Sequence, residues 1–270
     1  MTVKVVLAGC GNMGYAMLAG WIKSGRLQPS ETFVVEPNAE LRVRAEKLGA
    51  ATGADAADLP AGTPEVVLLA VKPQVIREVT AGYKHLGNGK TTFVSVAAGT
   101  PIATFAEVLG ERTPIIRVMP NTPAAIGKGI MVVYANPRVS AETKRFVNDL
   151  LTASGAVTTI DNEKLMDAVT AVSGSGPAYV FHFIECLTAA AEHAGLPAET
   201  AKLLAMQTVY GAASLAFESG EEPGLLRKQV TSPNGTTAAA LGVLMGEDRL
   251  KTLITDAVEA ARLRSIELGK

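Results

Sequence analysis

Two clusters of small residues in this 270-residue chain have the makeup of anion-binding turns. The first, Gly9-Cys10-Gly11-Asn12-Met13-Gly14, follows an apolar run and leads into Tyr15-Ala16-Met17-Leu18-Ala19. Glycines so spaced permit a tight turn, close approach of a pyrophosphate to backbone N–H groups, and tight packing of helix on strand. The second, Thr231-Ser232-Pro233-Asn234-Gly235-Thr236-Thr237, opens a helical stretch far along the chain. A helix start leaves backbone N–H groups unpaired, the helix dipole favours negative charge there, and hydroxyls add donors, so a carboxylate or phosphate fits. Taken alone, the same residues also read as an N-capped helix after a Pro-bearing loop.

The first turn has the context of a dinucleotide site. Residues 33–35 read as a second strand that ends in Glu36, about twenty residues beyond the glycines, where an acid accepts from a ribose 2′-hydroxyl. Gly9, Gly11, Asn12, Met13 and Gly14 are therefore expected to hold a nicotinamide dinucleotide. Glu36 favours NAD, because it repels a 2′-phosphate, whereas Asn38, Arg42 and Arg44 stand close enough to contact that phosphate in NADP. The choice between NAD(H) and NADP(H) stays open on these residues. Ala70-Val71-Lys72-Pro73 and Ala97-Ala98-Gly99-Thr100 end two further strands, at the carboxyl edge where doubly wound sheets bind ligands. Ala70, Lys72, Pro73, Ala97, Ala98 and Gly99 are candidate cofactor contacts, with Lys72 reading equally well as a solvated turn residue. Arg117-Val118-Met119-Pro120-Asn121-Thr122-Pro123 is one more strand exit, in which Asn121 either braces the nicotinamide side or satisfies loop backbone.

The elements that position these turns follow from hydrophobic pattern. Short β-branched runs at residues 3–6, 33–35, 66–71, 93–96, 115–118, 130–133 and 157–160 alternate with helical stretches, which predicts a parallel βαβ architecture over residues 1–160. Helix starts are marked by Thr100-Pro101 as cap and first position, by Ser140 followed by Glu142, and by Pro73 after Lys72. Beyond Asp161 the strand signals stop. Pro and Gly divide residues 161–270 into helices at about 161–172, 177–194, 197–219, 223–230, 236–246 and 249–268. The helix after Pro197 is apolar on nearly every side, so it must be buried in its own bundle or against a second subunit. Ser173-Gly174-Ser175-Gly176-Pro177-Ala178-Tyr179 breaks one helix and starts the next, its glycines permitting close approach by a nicotinamide ring or a neighbouring helix.

Bulk composition narrows the partners. With 48% apolar residues and a net charge of −1, the chain has a substantial core and no basic excess for nucleic acid or an anionic membrane surface. Residues 1–8 read as a first strand and not a signal peptide, and no uncharged stretch reaches the length of a membrane span. Cys10 and Cys186 suggest neither a disulfide framework nor a CxxC site, which fits a cytoplasmic location. His85, His182 and His193 lack metal-ligand spacing, so no metal is expected.

Together, the glycine fingerprint, Ala70-Val71-Lys72-Pro73, Arg117 to Pro123, Ser173 to Tyr179 and Thr231 to Thr237 closely resemble the pyrroline-5-carboxylate reductase family, over essentially the whole chain. The resemblance implies an N-terminal Rossmann-type doubly wound α/β domain followed by an all-α dimerisation domain, and NAD(P)H-dependent reduction of 1-pyrroline-5-carboxylate to L-proline. It favours NADP(H) slightly and implies oligomers whose helical domains pair. Carried over by position, Ser232, Gly235 and Thr236 hold the substrate carboxylate, Thr237 reaches the ring nitrogen as the catalytic residue, and Glu163 matches a substrate-side position. Asn234 departs from the pattern, since many relatives carry glycine there, but Asn tolerates positive φ better than most residues. Gln229 stands where some relatives have Asn, and its contact is not carried over.

The residues speak against two rival readings. A β-hydroxyacid dehydrogenase needs a base for its alcohol, a helix lysine in that family, but residues 165–201 contain neither Lys nor Arg. A dinucleotide-sensing protein without turnover has no need of the second anion turn.

Overall fold

The computed structural model describes residues 3–269; Met1 and Thr2, the start of the expected first strand, lie outside the described residues. Packing divides the chain into two units, one running to Ser175 and resuming at Ala261, the other Gly176–Ala260. In chain order the first contains β1 (Val5–Ala8), α1 (Asn12–Lys23), β2 (Thr32–Val35), α2 (Ala39–Glu46), β3 (Ala51–Gly53), β4 (Val66–Leu69) and α3 (Ile76–Ala81). There follow β5 (Thr92–Ser95), α4 (Ile102–Leu109), β6 (Ile115–Met119), β7 (Gly129–Ala135), α5 (Ala141–Thr152), β8 (Gly155–Thr159) and the short α6 (Met166–Val169). The second unit holds α7 (Gly176–His193), α8 (Ala198–Ser219), α9 (Pro223–Gln229), α10 (Thr236–Met245) and the greater part of α11 (Arg249–Leu268).

The strands form one sheet in the order β3-β2-β1-β4-β5-β6-β7-β8. Pairings are parallel as far as β6, β7 runs antiparallel to β6, and β8 is again parallel to β7. The expectation of a wholly parallel sheet is thus corrected at β7. Between β6 and β7 the chain has only a short turn of 3₁₀ helix, Thr122–Ile126, and a parallel crossover needs about a dozen residues or more. β3 was not foreseen: it is three residues long, begins at exposed Ala51, and carries almost no hydrophobic signal.

Both faces of the sheet are covered. Val5, Leu7, Val34, Leu68, Val94 and Ile116 pack under Met17, Leu18 and Trp21 of α1. On the other face Val6, Val67, Leu69, Phe93 and Ile115 pack against Phe105 and Leu109 of α4 and Ile76 of α3. Strands buried on both sides read as continuous apolar runs, which is why the central ones were legible.

Two local expectations shift. Thr100 is not the cap of α4; Pro101 occupies that position without a side-chain bond, and Ile102 is the first helical residue. Residues 163–174 are not one regular helix but a 3₁₀ turn, α6, and a π-helical turn at Thr170–Gly174 closed by Ser175 N–H donating to Thr170 O at 2.8 Å. Gly174 lies against the Met119 side chain of β6, whose terminal methyl is the nearest group to a Cβ built there.

The helical unit has little core of its own. Among its described hydrophobic residues only Ala201 and Ala205 are buried, while Phe181, Phe183, Leu203, Met206, Tyr210 and Leu253 are exposed and Phe217 is 86% exposed. Large apolar side chains left uncovered in such number mark an interface. Of the two ways to bury α8, a self-contained bundle is therefore excluded, leaving a second subunit. Among the described residues no helix is long and apolar enough to cross a membrane.

Candidate active site

The expected cofactor turns converge at one edge of the sheet. β1, β4, β5 and β6 are parallel neighbours, so the segments after them all leave at the carboxyl edge, and the strand order reverses between β1 and β4. At that switch point the two exits touch: a Cβ on Gly9, which is left-handed at φ +93°, would stand 2.7 Å from both Ala70 O and Val71 Cγ1. A Cβ on Gly14 would collide with Gly9 O. Gly11 differs, because a Cβ there would meet nothing within 4 Å. It caps α1 with no side-chain hydrogen bond, and the first-turn amides of α1 have no partner within the helix. A glycine that the protein itself does not require, at an uncapped helix N-terminus, fits a bound pyrophosphate.

Glu36 is buried, and both its oxygens are used: Oε2 accepts from Cys10 N–H at 2.7 Å and Oε1 from Asn38 N–H at 2.9 Å. The acid thus holds the fingerprint loop in shape, and each oxygen keeps a further lone pair for a ribose hydroxyl. Asn38 caps α2, accepting from the amides of Glu40 and Leu41. Arg42 donates to the carbonyls of Glu36 and Pro37, and Arg44 stacks 4.1 Å over the Tyr15 ring, which keeps two cations beside the end of β2. Lys72 is the N-cap of a 3₁₀ turn that Pro73 opens, as the Pro73 signal indicated.

Cys10 lies in this loop, fully buried, and burial together with the Glu36 charge pushes its thiol up to about 11 from 9.0. The folded state therefore holds the proton more tightly than the unfolded chain. Stability from this group is complete below about pH 9 and is lost as pH rises toward about 11. Urea midpoints taken on both sides of this window should fall as pH rises, and Cys10→Ala should reduce that fall; an equal pH slope in the two proteins would show that the thiol does not titrate with unfolding.

Glu163 and Arg117 form a pair that links three elements. Glu163 Oε1 accepts from Arg117 Nη1 and from Ile102 N–H, both at 2.7 Å. Sequence reading left Arg117 unassigned, although a lone Arg inside the apolar β6 is itself a signal, since a buried cation requires a partner. Asn121 accepts from Ile130 N–H at 3.0 Å, so of its two readings the structure displays the loop-bracing one.

In the helical unit, residues 231–237 form the anticipated helix start. Asn234 adopts positive φ, +58°, in the turn before Gly235, which caps α10 without a side-chain bond. Among the described residues, no hydrogen bond engages the side chains of Ser232, Thr236 or Thr237, and the amides of Thr236 and Thr237 open the helix without acceptors. The turn offers at least two amides and three hydroxyls to a small anion.

The comparisons agree with both ends of the chain. The family described as "NADP oxidoreductase coenzyme F420-dependent" matches residues 4–99, and "Pyrroline-5-carboxylate reductase dimerisation" matches residues 163–268. The pyrroline-5-carboxylate reductase of Pseudomonas aeruginosa is 38% identical over 269 residues, covering 100% of this chain and 98% of the relative. The structure of a pyrroline-5-carboxylate reductase from Coxiella burnetii superposes with a TM-score of 0.92 at 36% identity, with both chains fully covered. That of Plasmodium falciparum pyrroline carboxylate reductase, with NADP bound, gives 0.86 at 30% identity, covering 99% of this chain and 98% of that one. Identity at this level over the full length of the chain makes it a member of the pyrroline-5-carboxylate reductase family.

Proposed function

We infer that the chain reduces 1-pyrroline-5-carboxylate to L-proline, with NADPH or NADH as hydride donor, as a cytoplasmic enzyme of proline synthesis. The observation that carries this reading is the full-length similarity to named reductases, which joins the dinucleotide turn and the α10 helix start in one reaction. When bound, the reduced nicotinamide supplies the hydride. The amides of Asn12, Met13 and Gly14 hold the pyrophosphate. Ser232, Gly235 and Thr236 hold the substrate carboxylate. The Thr237 hydroxyl accepts from the iminium N–H and then donates to the nitrogen lone pair as the amine forms. An iminium already carries an electrophilic carbon, so the site must orient more than it must move protons. NADPH is the favoured donor, supported by the description of the family matching residues 4–99 and by Arg42 and Arg44 beside the β2 end.

The test is oxidation of NADPH and of NADH by purified protein supplied with the imine, followed by loss of reduced-nicotinamide absorbance. Proline formed in step with oxidation supports the reading; no oxidation of either cofactor overturns it.

Assembly is tested separately. The chain should run as a dimer or a multiple of one in light scattering at micromolar concentration. Leu203→Glu, which places a charge on the exposed apolar face of α8, should shift it toward monomer and lower activity. A fully active wild-type monomer would remove the intersubunit role of these helices.

A further inference from the structure

Within the turn after β5, Ala97 N–H donates to Ser95 Oγ at 3.2 Å and Thr100 Oγ1 to Ala98 O at 3.5 Å, and neither bond holds Gly99 itself. Gly99 is left-handed at φ +71°, and Pro101 caps α4 without a side-chain bond. Residues distant in sequence hold its two ends. Glu163 closes the α4 end of the turn through Ile102 N–H. The last turn of α11 lies against the other end: a Cβ on Gly99 would stand 3.1 Å from both Leu268 Cβ and Ser265 O, and a Cβ on Gly269 would collide with Gly99 O. That helix end is itself pinned, because Ser265, 3% exposed, donates to Asp167 Oδ1 at 2.7 Å. Leu268 and Gly269 also line, with Pro73, Gln74 and Thr100, a cleft of about 200 Å³ that spans the exits of β4 and β5.

The geometry points to residues 265–269, pinned by Asp167, as a positioning element for the dinucleotide: the helix end fixes the left-handed turn at Gly99, and with it the backbone of the candidate cofactor contacts Ala97, Ala98 and Gly99. This inference depends on the dinucleotide role proposed for Ala97, Ala98 and Gly99. A buried hydroxyl–carboxylate bond does more than cover apolar surface, since it fixes where residues 265–269 sit on the Gly99 turn. With the bond gone, residues 265–269 are free to shift on the Gly99 turn. Affinity for the cofactor then falls while the imine site, carried by α10, keeps its own geometry.

The experiment uses full-length Ser265→Ala, Asp167→Ala, the double variant, Asp167→Asn and Gly269→Ala, with NADPH binding read by nicotinamide fluorescence. Steady-state kinetics and light scattering accompany it. Each alanine variant of the bonded pair should raise the NADPH Kd and KM about three- to tenfold. The imine KM and the particle mass should stay unchanged. The double variant should cost no more than either single one, because the two residues share one bond. Asp167→Asn, which keeps an acceptor oxygen, should stay near wild type. Gly269→Ala removes no bond and presses on Gly99 O, and it should weaken NADPH in the same way. It decides the matter if Ser265→Ala fails to fold. Unchanged NADPH affinity in folded Ser265→Ala and Gly269→Ala, or a change confined to melting temperature, overturns the inference while leaving the proposed function intact. Wild-type protein that binds neither dinucleotide overturns both.

Discussion

A Gly11→Val protein should fold, assemble as wild type does, and lose NADPH and NADH together, with each Kd raised about hundredfold or more. The backbone at Gly11, φ −64° and ψ −166°, is open to any L-residue, and a Cβ there meets nothing within 4 Å. The added isopropyl group therefore costs the protein itself very little. It fills the space before the α1 amides, the proposed pyrophosphate site, where charge-assisted bonds would be worth about 1.5–3 kcal/mol each, so loss of two is about a hundredfold or more. Gly14→Val is the informative contrast, because its Cβ runs into Gly9 O within the protein and should destabilise the fold before any ligand is added. Isothermal titration of both dinucleotides, with melting temperatures for the two variants, separates these effects. Unchanged cofactor affinity in a folded Gly11→Val protein would take the fingerprint out of the site.

The contrast between Gly11 and Gly14 also marks where sequence reading stops. The glycine spacing, the strand before it and the helix after it are local patterns, and local pattern placed every central strand and every helix of the second unit within a few residues. The positive φ at Asn234 was legible in the same way, as a condition that Asn can meet. What escaped depends on contacts between distant segments. Nothing near Glu163 in sequence indicates that its carboxylate caps α4 and pairs with Arg117, and nothing near Ser265 indicates that α11 ends on the Gly99 turn. Glu36 was expected to face a ribose; its engagement with Cys10 and Asn38 amides follows from the loop folding back over the end of β2. β3 and the reversal at β7 were missed for lesser reasons, a three-residue strand with an exposed start and a connection too short to cross over.

Replacement of Thr237 by Ala should lower kcat about ten- to hundredfold, which corresponds to one lost hydrogen bond of about 1–3 kcal/mol, while leaving the NADPH Kd near wild type. The competing assignment, a structural hydroxyl in the first turn of α10, makes a different forecast, and the geometry already bears on it. Gly235, not Thr237, is the cap, and among the described residues the Thr237 hydroxyl bonds to no other group. Removing it breaks no bond within the protein, and Ala has the higher helix propensity, so the melting temperature should hold or rise slightly. Thr237→Ser keeps the hydroxyl and should recover most of the rate, which alanine cannot do if the oxygen meets the substrate nitrogen as imine becomes amine. A Thr237→Ala enzyme with wild-type kcat and kcat/KM would show that the nitrogen is stabilised elsewhere and reduce the role of the turn to holding the carboxylate.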